Sequence, residues 1–121
     1  DFFKKVNDTH GHAVGDEILV QLYQILRVNV RDEDFVVRYG GEEFLVLCAG
    51  LDYEAAFVVA ERIRKCVAEH DFPTSAGSLR LTVSIGVFSG RPGAQDTLEA
   101  YIETADQSMY QAKNNGRNRV M

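Results

Sequence analysis

The sequence predicts an α+β domain in which helices flank a central, mainly antiparallel sheet. Its 121 residues are enough for one domain, and 45% hydrophobic with 26% charged residues is typical of a globular protein with a single core. Segments with helical periodicity alternate with short β-rich segments in the order helix, hairpin, helix, strand, helix, strand. Because two of these strands are separated only by a tight turn, the order favours an antiparallel sheet over a doubly wound parallel one.

The first predicted helix runs from Asp16 to Asn29, with Asp16 as its N-cap. Its apolar positions have the spacing of one helical face and are Ile18, Leu19, Leu22, Ile25 and Leu26. The segments Phe35–Tyr39 and Glu43–Cys48 are rich in aromatic residues, valine and leucine, and two glycines stand between them. They predict a β-hairpin whose turn carries carboxylates.

Two further helices are indicated by capping residues and apolar spacing. Asp52 is the predicted N-cap of a helix that reaches about Glu69. The last helix is predicted from about Thr97 to Asn114, with Gly116 at the position of a C-terminal cap. The residues that this helix is expected to bury are Leu98, Tyr101, Ile102, Ala105, Met109 and Ala112.

The remaining segments predict a loop and two strands. Residues Pro73–Ser78 predict a loop, whereas Leu79–Val87 alternate between apolar and more polar residues and predict a strand with one buried face. Gly90, Pro92 and Gly93 then interrupt the chain, and Val120 belongs to a short final strand. A sheet of this pattern also calls for a strand before the first helix. We expect that strand to precede Asp1, in a longer protein of which this sequence is a piece.

Composition limits the classes of partner. Thirteen Lys and Arg against eighteen Asp and Glu give a net charge of −5, which argues against binding to a nucleic-acid polymer but not against phosphorylated small molecules. No apolar run approaches the roughly 18 residues of a membrane span, so we expect no membrane contact by this domain. Cys48 and Cys66 lack metal-ligand spacing and are expected to be reduced core thiols, as in a cytoplasmic protein whose parent chain is either free or membrane-tethered.

Three blocks of sequence carry a resemblance to a known family. They are DFFKKVNDTHGHAVGD at residues 1–16, GGEEF at residues 40–44 and YQAKNNGRN at residues 110–118. Together, in this order and spacing, they closely resemble the GGDEF family of diguanylate cyclases, in the variant with Glu at the third motif position. The resemblance implies a nucleotide-cyclase-like fold, the ferredoxin-like βαββαβ palm, of which the first strand is absent here. It also implies condensation of two GTP molecules into cyclic di-GMP and two pyrophosphates.

The resemblance assigns catalytic roles to the hairpin turn. Glu42 matches the family's metal-ligand position, and Glu43 matches the neighbouring acid that helps to deprotonate the 3′-hydroxyl or holds a second metal. The implied cofactor is Mg²⁺ or Mn²⁺, which carboxylate and phosphate oxygens suit. Family members also carry a metal-binding Asp two positions before Asp1, and that ligand is missing here.

The substrate-binding residues implied by the resemblance lie in all three blocks. Asn7 and Asp16 align with residues that read guanine, whose N–H donors suit a carboxylate and whose O6 suits an amide N–H. The backbone N–H groups of a helix start and two cations at the end of the last helix correspond to phosphate contacts. The full set is Phe2, Phe3, Lys4, Asn7, Asp16, Gly41, Lys113 and Arg117.

A second site is implied just before the hairpin. Arg31 and Asp34 have the RxxD form of the family's inhibitory product site, where they would bind the phosphate and guanine groups of cyclic di-GMP. Arg62 matches a secondary contact of that site, whereas Val58 stands where some members have an arginine. Product inhibition is therefore expected, in a weaker or differently bridged form.

Other interpretations of these residues stay open at the level of sequence. Paired acids at a turn and a charged RDED loop are also typical of solvated surface, Asp16 could serve only as an N-cap, and Lys113 with Arg117 could simply complement a helix dipole. The implied partners are GTP, cyclic di-GMP, a second copy of the domain and an upstream sensory or receiver domain. The alternative function is a catalytically inactive module that binds GTP or cyclic di-GMP and signals to a partner domain.

Overall fold

The computed structural model describes residues 1–90 and 97–121, and in this part of the chain helices and short antiparallel hairpins alternate. The elements are α1 (Phe3–His10), α2 (His12–Val28), β1 (Phe35–Arg38), β2 (Phe44–Leu47), α3 (Tyr53–Glu69), β3 (Phe72–Thr74), β4 (Gly77–Leu79) and α4 (Leu98–Asn114). The α+β class predicted from sequence is confirmed. Of the predicted chain breakers, Pro92 and Gly93 lie outside the described residues.

The first helical region is a pair of helices. Gly11 separates α1 from α2 with φ 90°, a left-handed conformation that glycine adopts at low cost. The predicted start at Asp16 is wrong, because α2 begins at His12 and Asp16 lies inside it rather than at its N-cap. The apolar stripe also begins one turn earlier than predicted, since Val14 is buried.

The predicted hairpin is confirmed. Strands β1 and β2 pair in antiparallel register, with Phe35 opposite Leu47 and Arg38 opposite Phe44. The Arg38 guanidinium holds the turn, since its Nε donates to the carbonyl oxygen of Gly41 at 3.1 Å. The strands therefore end at a turn whose backbone is fixed by a side chain of the hairpin itself.

Helix α3 follows with the predicted boundaries. The Asp52 carboxylate accepts a hydrogen bond from Ala55 N at 2.8 Å, which is an N-cap contact. The prediction of a loop at Pro73–Ser78 is wrong, because β3 and β4 form a second hairpin there. Gly77, with φ 97°, permits the tight turn that sequence periodicity over so few residues cannot reveal.

The strand predicted at Leu79–Val87 is realised only in part. Its alternation is correct, since Leu79, Leu81, Val83 and Ile85 pack against the core. A hydrogen-bonded ladder is absent from most of it, however, and among the described residues only Ile85–Val87 pairs with the chain end, through a parallel bridge between Ile85 and Val120. Across residues 80–84, the backbone hydrogen bond to another described segment is that from Asp1 N to Thr82 O at 2.9 Å.

Helix α4 has the predicted extent and begins with a Thr97 cap on Ala100 N at 3.1 Å. It lies directly on the backbone at Gly86, where an added Cβ would stand 1.9 Å from Ala105 O. Of the six α4 residues expected to be buried, only Ala112 is: Leu98 at the helix start is 53% exposed, and Tyr101, Ile102, Ala105 and Met109 are half-buried. The expectation of core thiols also fails, because Cys66 on α3 is exposed and Cys48 is half-buried. Both cysteines are free, as expected.

The core lies between α2, α3 and β3. Its buried members are Val14, Ile18, Leu22, Leu26, Ile63, Val67 and Phe72. A cavity of about 610 Å³ separates β2 from residues 81–87, with apolar side chains of both and of α4 on its walls. The sheet is thus observed as two separate two-stranded pieces rather than one continuous sheet. Of the described helices, none is both long and apolar enough to cross a lipid bilayer.

Candidate active site

The two glutamates of the hairpin turn line the 610 Å³ cavity. Glu42 is exposed and Glu43 is half-buried, and neither forms an ion pair with another described residue. Asp1 and Lys113 line the same cavity. The structure therefore brings the turn, the start of the chain and the end of α4 to one place, as the site predicted from sequence requires.

Charged side chains of both signs lie around Asp1 and Phe2. Glu42 and Lys113 line the same cavity as Asp1, and the Arg117 guanidinium lies over the Phe2 ring. Two cations and a carboxylate thus face a common space, a charge pattern suited to a polyanion that arrives with a divalent cation.

The N-terminus of α1 has the features of an anion-binding helix start. Phe2 precedes the helix in a left-handed conformation with φ 59°, and no side chain caps the helix. The first turn of α1 contains no acidic residue. The N–H groups of Phe3 and Lys4 at a helix start have no carbonyl partner within the helix, so they are available to phosphate oxygens.

The two predicted phosphate-binding cations flank that turn. Lys113 lies in the last turn of α4. Arg117 follows the helix, and its guanidinium carbon lies 4.5 Å from the centroid of the Phe2 ring. This cation–π contact joins the end of the chain to the start of α1.

Asn7 lies on α1 and faces α2. Its Oδ1 atom is buried and has no hydrogen-bond partner in the described structure. The reason it fits is Gly15, because a Cβ on Gly15 would stand only 1.9 Å from that oxygen. A buried acceptor oxygen without a partner is costly, so the arrangement favours a ligand N–H that would donate to Asn7 Oδ1. Asp16, next to Gly15, is exposed and available to the same ligand.

The donor set at the turn suits a divalent cation that arrives with phosphate. Among residues 1–90 and 97–121, no three His, Cys, Asp or Glu side chains are clustered as a preformed cation site. Mg²⁺ is commonly bound by one or two carboxylates together with substrate phosphates and water, and Glu42 and Glu43 provide those two carboxylates. The residues present therefore fit the cation implied by the sequence.

The RxxD residues lie at the opposite end of β1 from the GGEEF turn. Arg31 N donates to Asp34 Oδ2 at 2.9 Å, and this bond lowers the pKa of the Asp34 carboxyl below its ordinary value. The Arg31 guanidinium is exposed and lies 3.5 Å from Glu33 Oε1 and 3.6 Å from Asp34 Oδ2. Asp34 is buried, and its Oδ1 has no described hydrogen-bond partner.

Arg62 is near this loop without contacting Arg31 or Asp34. Its Nε donates to Asn29 Oδ1 at 3.1 Å, at the C-terminal end of α2. Val58, one turn earlier on α3, is 63% exposed and contributes an apolar patch where the family permits arginine. Burial raises the pKa of the nearby Cys48 thiol, and the Asp34 carboxylate acts in the same direction, so Cys48 is a protonated thiol.

Sequence reasoning missed two features of the site. Gly15 was treated only as part of a motif, although it makes room for Asn7. The Asp1 carboxylate received no role, although it accepts hydrogen bonds from Thr82 and Ser84. The signal for the second feature was present, because Thr82 and Ser84 are the polar positions of the alternating segment 79–87 and face away from the core.

Comparison with known proteins gives a consistent result. The family described as "Diguanylate cyclase, GGDEF domain" matches residues 1–119. Diguanylate cyclase A of Treponema denticola is 43% identical over 99% of this chain and 32% of its own length. Response regulator PleD of Caulobacter vibrioides is 47% identical over the whole of this chain and 27% of its own length. The chain therefore spans about a third or less of these two relatives.

A solved structure supports the fold. The GGDEF domain of DgcB from Caulobacter crescentus, crystallised in complex with c-di-GMP, superposes with a TM-score of 0.91. The two chains are 31% identical, and the match covers all of this chain and 71% of the other. The arrangement of α1, α2, the hairpin and α4 is thus one that is found in experimental structures.

Proposed function

Because the chain belongs to the GGDEF family of diguanylate cyclase domains, we propose that it condenses two GTP molecules into cyclic di-GMP and two pyrophosphates. The observation that carries the proposal is that Glu42, Glu43 and Lys113 line one cavity together with Asp1 and Phe3, the residues on either side of the N-cap of α1, which no side chain caps. Carboxylates, a cation and free backbone N–H groups in one place are the groups that a nucleoside triphosphate with its cation requires.

In the proposed reaction the 3′-oxygen of one GTP attacks the α-phosphorus of the other. A phosphodiester bond forms, the bond from the α-phosphorus to the bridging oxygen breaks, and pyrophosphate leaves. The proton of the 3′-hydroxyl passes to a general base, for which Glu43, half-buried beside Glu42, is one candidate. The same exchange in the opposite direction closes the ring, so each turnover releases two pyrophosphates.

Guanine is selected at the junction of α1 and α2. We propose that Asn7 and the Asp16 carboxylate hydrogen-bond to the base edge of GTP. Asn7 Oδ1 is a buried acceptor without a partner, so it would accept from a guanine N–H rather than contact O6. Adenine presents an amino group where guanine presents O6 and lacks the N1–H and N2–H donors. A polar site that is left unpaired rejects the wrong ligand strongly, so GTP is favoured over ATP.

The triphosphate lies across the start of α1. The N–H groups of Phe2, Phe3 and Lys4 would contact phosphate oxygens, with Gly41 allowing close approach of the turn and Lys113 and Arg117 binding the terminal phosphates. Mg²⁺ or Mn²⁺ held by Glu42, Glu43 and phosphate oxygens would neutralise the charge that develops at the α-phosphorus.

Catalysis requires a second copy of this domain. Each copy holds one GTP at the exposed GGEEF turn, so the two reacting nucleotides must come from two chains that face each other. An upstream sensory or receiver domain would regulate this encounter, as a response-regulator name among the relatives suggests. We further propose product inhibition at Arg31, Asp34 and Arg62. The crystal structure of the 31%-identical GGDEF domain of DgcB in complex with c-di-GMP supports this proposal.

The cavity also supports a proposal about the sheet. A strand between β2 and residues 81–87 would occupy the apolar part of this space, pair both flanking segments and cover their apolar side chains, and would leave the part lined by Glu42, Glu43 and Lys113 to the nucleotide. The hydrogen bond from Asp1 N to Thr82 O has the position of the first contact in such a ladder. We propose that the strand expected ahead of α1 occupies this space.

The decisive experiment for the enzyme is incubation of the intact protein with GTP and Mg²⁺, followed by chromatographic detection of cyclic di-GMP and pyrophosphate. Production of both in a ratio of one to two supports the proposal, and ATP should give neither. Tight cyclic di-GMP binding without any product from GTP would instead support a binding module that signals to a partner domain.

A further inference from the structure

The carboxylate of Asp1 connects segments that are distant in sequence. Its Oδ1 accepts a hydrogen bond from Ser84 Oγ at 2.8 Å, and its Oδ2 accepts one from Thr82 Oγ1 at 2.8 Å. The backbone N–H of Asn118 donates to Oδ2 at 3.3 Å. Both oxygens are therefore engaged by neutral donors of the protein, from the segment before α4 and from the loop after it.

The backbone around Asp1 is held in an unfavourable conformation. In the described part of the chain, the non-glycine residues with positive φ are Phe2 at 59°, Arg117 at 63° and Asn118 at 47°. Phe2 and Arg117 are strained in this region, which asparagine tolerates better, and the surrounding structure must supply the compensation. All three lie at this one place, since Phe2 follows Asp1 and Asn118 donates to its carboxylate.

Two other contacts tie the same residues together. Arg64 on α3 donates from Nη1 to Asn118 Oδ1 at 2.9 Å, and the Arg117 guanidinium lies over the Phe2 ring. Phe2 and Arg117 are both proposed triphosphate contacts. Two of the three strained conformations therefore belong to proposed phosphate contacts, and the Asp1 carboxylate is hydrogen-bonded to Thr82, Ser84 and Asn118 beside them.

We propose that Asp1 is a positioning residue for the triphosphate of GTP. Its carboxylate holds the turn before α1 and the loop after α4 in fixed register through Thr82, Ser84 and Asn118. The N–H groups at the start of α1 and the Arg117 guanidinium are then directed at the same phosphates. This inference rests on the proposed function, and it concerns the phosphate end of the nucleotide rather than the guanine end or the cation.

The test compares two ligands that share guanine and differ in phosphate. In the intact protein, the double variant Thr82→Val with Ser84→Ala removes both hydroxyl donors to Asp1 and changes volume little. We expect its Kd for GTP to rise about tenfold, or about 1.4 kcal/mol by the logarithmic relation between affinity and free energy, while its Kd for guanosine stays unchanged. A second double variant, Thr82→Ser with Ser84→Ala, keeps the hydroxyl at position 82 and should restore most of the GTP affinity.

Ser89→Ala is the matched control, because it also removes a serine hydroxyl, one that donates to Leu51 O at 3.1 Å away from Asp1. It should leave both affinities unchanged. Equal losses for GTP and guanosine in the double variant, or no loss for either, would overturn the inference. If the double variant does not fold, Ser84→Ala alone decides, with an expected threefold loss of GTP affinity only.

Failure of the proposed function leaves a different signature. If the wild-type protein binds GTP but produces no cyclic di-GMP, the enzyme proposal fails, and the difference between GTP and guanosine affinities still decides the role of Asp1.

Discussion

Gly15 and Asn7 are fitted to one another across the α1–α2 junction. A Cβ on Gly15 would stand 1.9 Å from Asn7 Oδ1 and 3.1 Å from Cζ of Phe3. Glycine is thus required by the neighbouring side chain rather than by backbone conformation, since Gly15 lies inside α2. A residue that never contacts the nucleotide therefore determines where the Asn7 amide can be.

We predict that Gly15→Ala weakens guanine recognition. The added methyl would displace the Asn7 amide, because Oδ1 is the end of a side chain whereas Gly15 is fixed in a helix. The expected result is a rise of about tenfold or more in KM for GTP, since a misplaced buried amide loses about 1–3 kcal/mol of hydrogen bonding.

The same variant should discriminate less against inosine triphosphate, which lacks the N2 amino group. Ala13→Gly, an exposed site on the same helix, is the control for helix propensity, and its KM should not change. An unaltered KM in Gly15→Ala, with intact folding, would contradict the placement of guanine beside Asn7.

We predict that Glu42→Ala reduces turnover by about 10³-fold or more, because removal of a preorganised charged group at the reacting phosphate costs several kcal/mol. The domain should remain folded, since Glu42 is exposed and forms no ion pair in the described structure. Turnover is measured as pyrophosphate release, and folding by circular dichroism. Glu103→Ala, at an exposed position of α4, should keep wild-type turnover, and wild-type rates in Glu42→Ala would remove the metal assignment.

We predict that Arg31→Ala relieves product inhibition without changing the initial rate. The exposed guanidinium is lost, whereas the loop remains closed by the backbone bond from residue 31 to Asp34. The half-inhibitory concentration of cyclic di-GMP should rise at least about tenfold, as expected for loss of a bidentate charged contact.

Arg80→Ala is the matched control for this loss of charge, because Arg80 is also exposed and pairs with Asp71 at 2.8 Å outside the RDED loop. It should leave the inhibition curve as it is. A curve for Arg31→Ala that superposes on the wild type would show that the RxxD segment only closes the loop.

We predict that a chain extended upstream of Asp1 by the expected apolar strand unfolds at a higher temperature than residues 1–121 alone. The strand would occupy the apolar part of the cavity between β2 and residues 81–87 and satisfy both backbone edges, so the midpoint should rise by about 5 °C or more. Amides of residues 44, 46, 82 and 84, which face the space between the two segments, should exchange with solvent more slowly. Identical melting temperatures and exchange rates for the two lengths would contradict the proposed strand.

The fold could be predicted from sequence where side chains define the ends of elements. Helices α3 and α4 begin where expected because Asp52 and Thr97 cap them through their side chains. Helix α2 was misplaced because its N-cap is Gly11, which carries no side-chain signal. The β3–β4 hairpin was missed because strands of three residues are too short for an alternating pattern to be distinguished from a loop.

For the site, the family resemblance implied that the GGEEF turn and the end of α4 serve one ligand, and residues of both line the same cavity. The sequence could not reveal the hydroxyl contacts of Asp1 or the space beside Gly15, because both depend on which side chains of separate elements meet in three dimensions. Such contacts become visible only when the backbone is known.

The close approach of α4 to Gly86 has a consequence for how this domain can change over evolution. An added Cβ there would stand 2.3 Å from Met109 N, one turn before Lys113, so a single methyl would act as a wedge beneath the helix. Gly86, which has no side chain, therefore allows the close packing that sets the position of Lys113 in the last turn of α4. Substitution of Gly86 should therefore not be tolerated, although this residue is not among the proposed nucleotide or cation contacts.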